Sequence, residues 1–497
     1  MLERVTPPDD FFFPEGAGAL IAAQAQMRLY ASPDWCSLYP YFATLETRFQ
    51  ELCNKFAPEW NLRQLRSMLR LAPRFQRNRL GAEPRLSADI LMVGECHRQN
   101  EIMMMVRLLR GVLSMGFRVI YLVSFGSAEH HAISELAGNL GRQGQLRLVD
   151  PYCSRGRYEH IVNRARADFL ARSDFLKIVE NLPSDIGLRS DTRSAIHGVS
   201  MAKLIWDDLT AHLDFRIACL RNHFDVFSSA VAVQCLQQKK PIVTFQHGIV
   251  STKGGFLPIV ASRQVCFGKS SSLLLQRSER ELNESAGRSG YCKTFVLGGS
   301  LVDEIQPRHQ NFEEATVLLI DQENLWAKNF YGIEHEFECM ALLMEDILRT
   351  SSIVKSVVVR LHPDNQKANR WYRLKDAYPG KFDISLAGLS LQNDLKRAAV
   401  VIGLFSGAMV SAAASGIPVL FVWQPGWYYT PDLGCFFQDS FIPPTLLLER
   451  IEQMLLNRDC YQEACAAAIK ASGHYYFRRQ TQTFEGDFIS ELFSALV

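Results

Sequence analysis

The stretch AAVVIGLFSGAMVSAAASGIPVLFVW, residues 398–423, decides the fold. It holds no charged residue and is long enough to cross a bilayer as a helix. Small residues and one proline interrupt it, however: Gly403, Ser406, Gly407, Ser411, Ser415, Gly416 and Pro418. We therefore predict a strand, a small-residue loop, a helix and a second strand inside a buried parallel sheet, and no membrane helix.

Apolar β-type runs alternate with helical stretches along most of the chain, which is the pattern of parallel α/β folding. A first series opens with ILMVG, a helical stretch ending at Gly116, and FRVIYLV, which together make one βαβ unit. Its later strands are predicted at 241–246, 262–268 and 295–300. A second series consists of ATVLLIDQ, a helix at about 332–350, SVVVRLHP, FDISLAG and the opening stretch.

These two series predict two Rossmann-like parallel-sheet domains that face each other across a cleft. The polar, proline-containing segment at 304–314 is the predicted linker. The predicted organisation is a helical N-terminal extension at 1–85, a first domain at 86–305, a second domain at 306–475 and a C-terminal helix at 476–497.

Composition narrows the class of protein. A chain of 497 residues favours two or three domains, and 47% apolar with 21% charged residues predicts folding nearly throughout. Lys plus Arg (54) nearly equals Asp plus Glu (52), so we predict no nucleic-acid partner. The twelve cysteines form no CxxC pair and predict neither a zinc site nor a disulfide framework, which favours a reducing cytoplasm.

The N-terminus, MLERVTPPDDFFFPEG, lacks the basic start and apolar run of a signal peptide, which also favours the cytoplasm. Basic residues gather at 63–85. They are predicted to form a solvated helix face. The alternative is contact with anionic lipid head groups or a lipid-linked acceptor, which would place the protein peripherally on the inner face of the membrane.

Ligands of open parallel sheets bind beyond the carboxyl ends of the strands, where helix N-termini and backbone amides converge. Four predicted strand ends carry unusual polar residues. They are GECH at 94–97, QHG at 246–248, His362-Pro363, and FSG at 405–407. The ligand site is therefore predicted at these ends.

In the second domain, the predicted chemistry is phosphate binding. Ser406 and the amides of Gly407 and Ala408 would hold a phosphate at a positive helix end. His362 would donate an imidazole N–H to the same phosphate, on a turn stiffened by Pro363. Such donors stabilise a departing nucleotide, and no metal is predicted. The loop of Asp321, Gln322 and Glu323 would complete the pocket or, equally, only cap a helix.

In the first domain, a group that removes a proton from an acceptor hydroxyl would be a general base. Glu95 and His97 are the leading candidates, and His247 follows another strand of the same domain. Asp225, ahead of the helical stretch FDVFSSAVAVQ, is a further candidate as base or nucleophile, or an ordinary N-cap.

The order of QHG, FG (267–268), LGGSLVDE (297–304), LLIDQ (318–322), RLHP (360–363) and FSGAMVSAAASGIPV (405–419) resembles the GT-B capsule and surface-polysaccharide transferases. These include bacterial sialyltransferases and Kdo transferases, which use CMP-activated sugars, and the related CDP-glycerol glycerophosphotransferases. The resemblance implies a CMP-sugar donor whose phosphate is held by His362-Pro363 and Ser406, no cofactor beyond that donor, and a surface glycan or glycolipid acceptor.

The sequence departs from that pattern at two points. Ser411 stands where many GT-B enzymes place a carboxylate for the ribose, and the first domain has no clear acidic-acidic-glycine motif. Kdo or another nonulosonic sugar is therefore as well supported as sialic acid. CDP-glycerol phosphotransfer, sugar-nucleotide epimerisation and a non-catalytic scaffold stay open as alternatives.

Overall fold

The computed structural model describes residues 86–96, 99–141, 144–151, 206–207, 212–223, 226–246, 248, 250, 259–285, 289–290, 292, 294–298, 312–322, 334–362, 369–386, 390–427, 431–434, 436–475 and 489–493. The predicted extension at 1–85, with its basic stretch, lies outside these residues. So do residues 304–311 of the predicted linker.

The first domain is built on a seven-stranded sheet in the order β3-β2-β1-β4-β5-β6-β7, and every pair is parallel. Its strands are β1 (Leu86–Val93), β2 (Val119–Leu122), β3 (Leu146–Val149), β4 (Leu213–Leu220), β5 (Ile242–Phe245), β6 (Arg263–Cys266) and β7 (Thr294–Leu297). The described helices among them are α1 (Gln99–Ser114), α2 (Ala128–Leu140), α3 (Val226–Gln237) and α4 (Lys269–Ser285).

The second domain is built on a six-stranded parallel sheet in the order β10-β9-β8-β11-β12-β13. Its strands are β8 (Thr316–Ile320), β9 (Ser356–Arg360), β10 (Phe382–Ser385), β11 (Val400–Gly403), β12 (Val419–Val422) and β13 (Phe441–Ile442). The described helices that follow β8 in the chain are α5 (Glu334–Thr350), α6 (Asn369–Ala377), α7 (Leu391–Arg397), α8 (Gly407–Ala414), α9 (Pro431–Gly434), α10 (Leu447–Leu456), α11 (Arg458–Tyr475) and α12 (Ile489–Leu492).

Both sheets thus have the doubly wound order, in which the chain adds strands first to one side of a central strand and then to the other. The predicted fold class, two Rossmann-like parallel-sheet domains of the GT-B type, is confirmed. The opening stretch is confirmed as well, since it forms β11, α8 and β12. In the described part of the chain, no helix is long and apolar enough to cross a membrane.

Burial on both faces explains why these strands are continuous apolar runs. Along β1, Ile90 and Met92 pack into a core with the side chains of α1, whereas Leu91 and Val93 pack into the opposite core with those of α3. At the end of β11, a Cβ built on Gly403 would lie 2.8 Å from Met409 Sδ and 3.2 Å from the Ile320 carbonyl oxygen. Only glycine therefore lets β11, β8 and α8 approach this closely.

The sequence analysis missed β3, β4 and the two-residue β13. The omission of β4 matters most, because this strand pairs with both β1 and β5 in the middle of the sheet. Its sequence, LDFRIACL, carries exposed Asp214 and Arg216 at its beginning, which break the apolar run. The alternation of buried and exposed residues there is a period-two signal, and it identifies a strand despite the two charges.

The end of the chain returns to the first domain. Ile489, Leu492 and Phe493 are buried in the core that contains α1, and the rings of Phe117 and Phe493 lie 6.1 Å apart. The Arg263 guanidinium of β6 donates a hydrogen bond to the Leu492 carbonyl oxygen. The described part of the predicted C-terminal helix is therefore a short helix that completes the first domain's core.

Candidate functional site

Each sheet reverses its strand order between two central strands, β1 and β4 in the first domain and β8 and β11 in the second. A doubly wound sheet opens a crevice at that point, because the helices on either side run to opposite faces. Glu95 follows β1, Asp321 follows β8 and Ser406 follows β11. His362 follows β9, the neighbour of β8. The structure thus brings four of the predicted residues to the two places where ligands of such folds bind.

Ser406 is the N-cap of α8. Its backbone is extended (φ −170°, ψ 145°), and its Oγ accepts a hydrogen bond of 3.1 Å from the Ala408 N–H. Only 9% of the residue is exposed. A Cβ built on Gly407 would meet no described atom within 4 Å. The first turn of α8 thus places its amides and the positive end of the helix dipole at the carboxyl end of β11.

His362 is placed by a network at the end of β9. Arg360, two residues earlier, pairs with Asp394 of α7, whose carboxylate also accepts a hydrogen bond of 2.7 Å from Ser385 Oγ. The Leu361 N–H donates to the Ser385 carbonyl oxygen at 3.0 Å. This anchoring fixes the backbone that leads into His362, which is half-buried. Pro363 lies outside the described residues.

Asp321 is buried, with 4% of its surface exposed, and its Oδ2 accepts a hydrogen bond of 3.0 Å from Trp371 Nε1 of α6. Such a partner is needed because an unpaired carboxylate at this depth is costly. This hydrogen bond gives the buried Asp321 carboxylate a structural role. A contact between Asp321 and a ligand stays a prediction. Gln322 follows it and is half-buried, whereas Glu323 lies outside the described residues.

Ser411 explains one departure from the resembled family. It is buried, and its Oγ donates to the Gly407 carbonyl oxygen at 3.2 Å. The position that holds a ribose-binding carboxylate in many GT-B enzymes is thus used here for hydrogen bonding within α8.

Glu95 is hydrogen-bonded to the first turn of α3. Its Oε2 accepts hydrogen bonds from the Ser228 N–H (3.0 Å) and the Ser228 Oγ (2.8 Å), so the carboxylate caps the N-terminus of α3. Its φ of 48° lies in the left-handed region that non-glycine residues rarely adopt. The N-terminus of α3 is therefore occupied by a carboxylate of this chain, whereas that of α8 is capped by the Ser406 hydroxyl.

The turn that carries Glu95 rests on a buried carboxylate, Glu129 of α2, which is 3% exposed. Its oxygens accept hydrogen bonds from Tyr121 OH (2.6 Å) and from the Cys96 N–H (3.1 Å). Burial raises the pKa of Glu129, and these hydrogen bonds oppose the rise. A Cβ on Gly94 would lie 1.7 Å from Glu129 Oε1, so only glycine leaves room for this contact.

Arg221, at the end of β4, holds the same turn from the other side. Its Nε donates to the Gly94 carbonyl oxygen at 3.0 Å, and its Nη1 pairs with Glu101 of α1 at 2.6 Å. The sequence analysis missed Arg221 together with Glu129, because it missed β4 and because Glu129 is an ordinary helix residue in sequence. Finding β4 would have placed Arg221 at a central strand end.

The other predicted first-domain residues, His97, Asp225 and His247, lie outside the described residues. Gln246, next to His247, is buried and fully engaged. Its Nε2 donates to the Gly248 carbonyl oxygen (2.7 Å) and to Ser271 Oγ (2.9 Å), and its Oε1 accepts from the Phe267 N–H (2.8 Å). The QHG motif is therefore tied to the end of β6 and to α4 through its glutamine.

Comparison with known proteins gives structural likeness only. No family model matches the chain, and no curated protein matches it in sequence. Solved structures similar to it include a UDP-GlcNAc 2-epimerase from Neisseria meningitidis bound to UDP-GlcNAc (10% identity, TM-score 0.47, covering 82% of this chain and 100% of that one). A second is a glycosyltransferase from Rickettsia africae (11% identity, TM-score 0.45, covering 82% of this chain and 98% of that one). A third is S. aureus TarM in complex with UDP (10% identity, TM-score 0.47, covering 82% of this chain and 99% of that one). Likeness this weak does not transfer an activity, so the fold assignment rests on the strand order of the chain itself.

Proposed function

We propose that this protein is a glycosyltransferase that moves a sugar, Kdo, sialic acid or another nonulosonic acid, from a CMP-sugar to a surface polysaccharide or glycolipid. The observation that carries the proposal is the N-terminus of α8 at the second domain's crevice, where Ser406 is the N-cap and one strand, β8, separates it from the strand end that bears His362. The motif resemblance of these two positions supports cytidine as the nucleoside.

The donor phosphate would bind at α8. Because Ser406 Oγ accepts from the Ala408 N–H, its own proton is available to donate to a phosphate oxygen. The helix dipole and the imidazole N–H of His362 add positive potential at the same place. As the bond between the anomeric carbon and the phosphate oxygen breaks, these donors stabilise the negative charge that develops on the departing CMP.

The acceptor would be activated from the first domain. An acceptor hydroxyl attacks the anomeric carbon, and its proton passes to a general base, for which Glu95 and His97 are the proposed groups. The two helix N-termini support the assignment of the phosphate to the second domain and of the base to the first. That of α3 already holds Glu95 and so disfavours a phosphate, whereas that of α8 has no carboxylate of the described chain upon it.

The setting of the reaction is part of the proposal. A cytoplasmic enzyme would meet its nucleotide-sugar donor in solution and its acceptor at the inner face of the membrane. The basic stretch at 63–85 would provide the peripheral contact.

Replacing Ser406 tests the phosphate site. Ser406→Ala removes one N-cap hydrogen bond, which costs about 1 kcal/mol of stability, and one phosphate donor. We expect weaker binding of CMP and slower release of CMP from a CMP-sugar. Ser390→Ala is the matched control, because Ser390 caps α7 in the same way through Gln392 N–H (3.2 Å). Equal CMP affinity in the two variants would contradict the role of Ser406.

Replacing the proposed bases tests the acceptor side. We expect Glu95→Gln combined with His97→Ala to lower transfer and to remove the acidic limb of the pH profile, since that limb reports deprotonation of the base. Glu95→Gln keeps an oxygen that can accept from the Ser228 N–H, so the cap on α3 is retained. A wild-type rate with an unchanged profile would reject both residues as the base.

A further inference from the structure

An exposed phenylalanine packed against a half-buried histidine stands at the carboxyl edge of the first sheet, one strand away from Glu95. Phe125 lies just beyond β2 and is 39% exposed. β1 and β2 are paired in register to their last residues, Val93 with Leu122, so the turns that carry Glu95 and Phe125 leave the same edge side by side. Neighbouring strands are only about 4.8 Å apart.

The turn holds Phe125 in place although its ring is exposed. The Phe125 N–H donates to Asp150 Oδ2 at 3.0 Å, beyond the end of β3, and Gly126 adopts φ 83°. The ring packs against His130 of α2, with centroids 4.8 Å apart and planes inclined by 31°. We call Phe125 and His130 the aromatic shelf.

The shelf also presents a hydrogen-bond donor. His130 Nδ1 accepts from the Gly126 N–H at 3.3 Å, which requires that Nδ1 carry no proton. Burial, with the nearby charge of His131 as a second cause, lowers the pKa of His130 and favours this neutral ring. Its proton is then on Nε2, for which the described residues provide no hydrogen-bond partner.

We propose that the aromatic shelf binds a sugar ring of the acceptor. A pyranose has an apolar face of C–H groups and a rim of hydroxyls. It therefore matches the exposed ring of Phe125 beside one directed N–H donor, as sites for small ligands combine apolar lining with a few placed polar groups. The shelf gives the proposed transferase a subsite next to its proposed base, and to that extent the inference rests on the proposed function.

Direct sugar binding tests the shelf without any nucleotide. The full-length protein, labelled with ¹³C at histidine Cε1, is titrated with lactose, maltose and, as a polyol without a ring, glycerol. The His130 signal is assigned with His130→Gln. We expect the disaccharides, and not glycerol, to shift the His130 signal. Phe125→Ala should weaken disaccharide binding by about fivefold, the effect of losing one aromatic stacking contact.

Met115→Ala is the matched control. Met115 is 38% exposed and precedes β2, so it lies at the opposite edge of the same sheet. It should leave the sugar response unchanged, and Phe125→Tyr should retain it. No His130 shift with either disaccharide, an equal shift with glycerol, or wild-type affinity in Phe125→Ala would overturn the shelf. Failure of CMP to bind would instead overturn the proposed function and leave these results standing.

Discussion

His362→Ala should lower the rate of sugar transfer by about a hundredfold or more, as the loss of one preorganised donor to a developing negative charge commonly does. The fold should persist, because the end of β9 is anchored by the pair of Arg360 and Asp394. The measurement is the initial rate of CMP release from a CMP-sugar in the presence of acceptor, with circular dichroism to verify folding.

A second histidine of the same domain provides the control. His335 lies in α5 and is exposed, and His335→Ala should transfer sugar at the wild-type rate. Wild-type turnover in His362→Ala would remove His362 from the mechanism. An equal loss in both variants would indicate a general effect on the domain.

Gly268→Ala should strongly lower the free energy of unfolding. A Cβ at Gly268 would lie 1.8 Å from the Tyr475 carbonyl oxygen and 2.5 Å from that of His474, both backbone atoms at the end of α11. Backbone cannot move aside as a flexible side chain can, so we expect a cost of about 3 kcal/mol, the upper part of the range for overpacking. A lower midpoint of urea unfolding, followed by tryptophan fluorescence, measures it.

Gly473→Ala is the control for this contact. It lies in the same helix end, and a Cβ there would meet no described atom within 4 Å. Alanine favours a helix over glycine by about 1 kcal/mol, so this variant should match or exceed wild-type stability. A Gly268→Ala protein as stable as wild type would show that α11 does not dock on Gly268 as described.

The fold was largely predictable because its strongest signals are local. The uncharged stretch around β11 and β12 marks the ends of its own elements, because Gly403 ends a strand and Ser406 begins a helix. Runs such as TVLLI are buried on both faces and stand out for the same reason. By contrast, β4 begins with alternating charges, and its place beside β1 depends on pairing across more than a hundred residues, which no local pattern reveals.

The candidate site was predictable only where strand ends carry distinctive residues. The positions of Ser406 at a helix start and of His362 after a strand were predicted in this way. The carboxylate of Glu95 was found too, but its bond to Ser228 depends on a contact across 133 positions of sequence. Glu129 and Arg221 were not predicted. They hold the turn at Gly94 because they are buried beside it, and the burial of a charged residue cannot be read from the sequence composition.

The most direct test of the proposed function is a thermal-shift comparison of CMP, CDP, UDP and GDP on the full-length protein. A ligand that binds only the folded state stabilises it by an amount that grows with the logarithm of one plus the ratio of ligand concentration to Kd, so at equal concentration the four nucleotides rank by affinity. We expect CMP to give the largest rise and Ser406→Ala to reduce it. A larger rise with UDP or CDP would contradict the CMP-sugar donor, and no rise with any nucleotide would contradict glycosyl transfer and favour a non-catalytic scaffold.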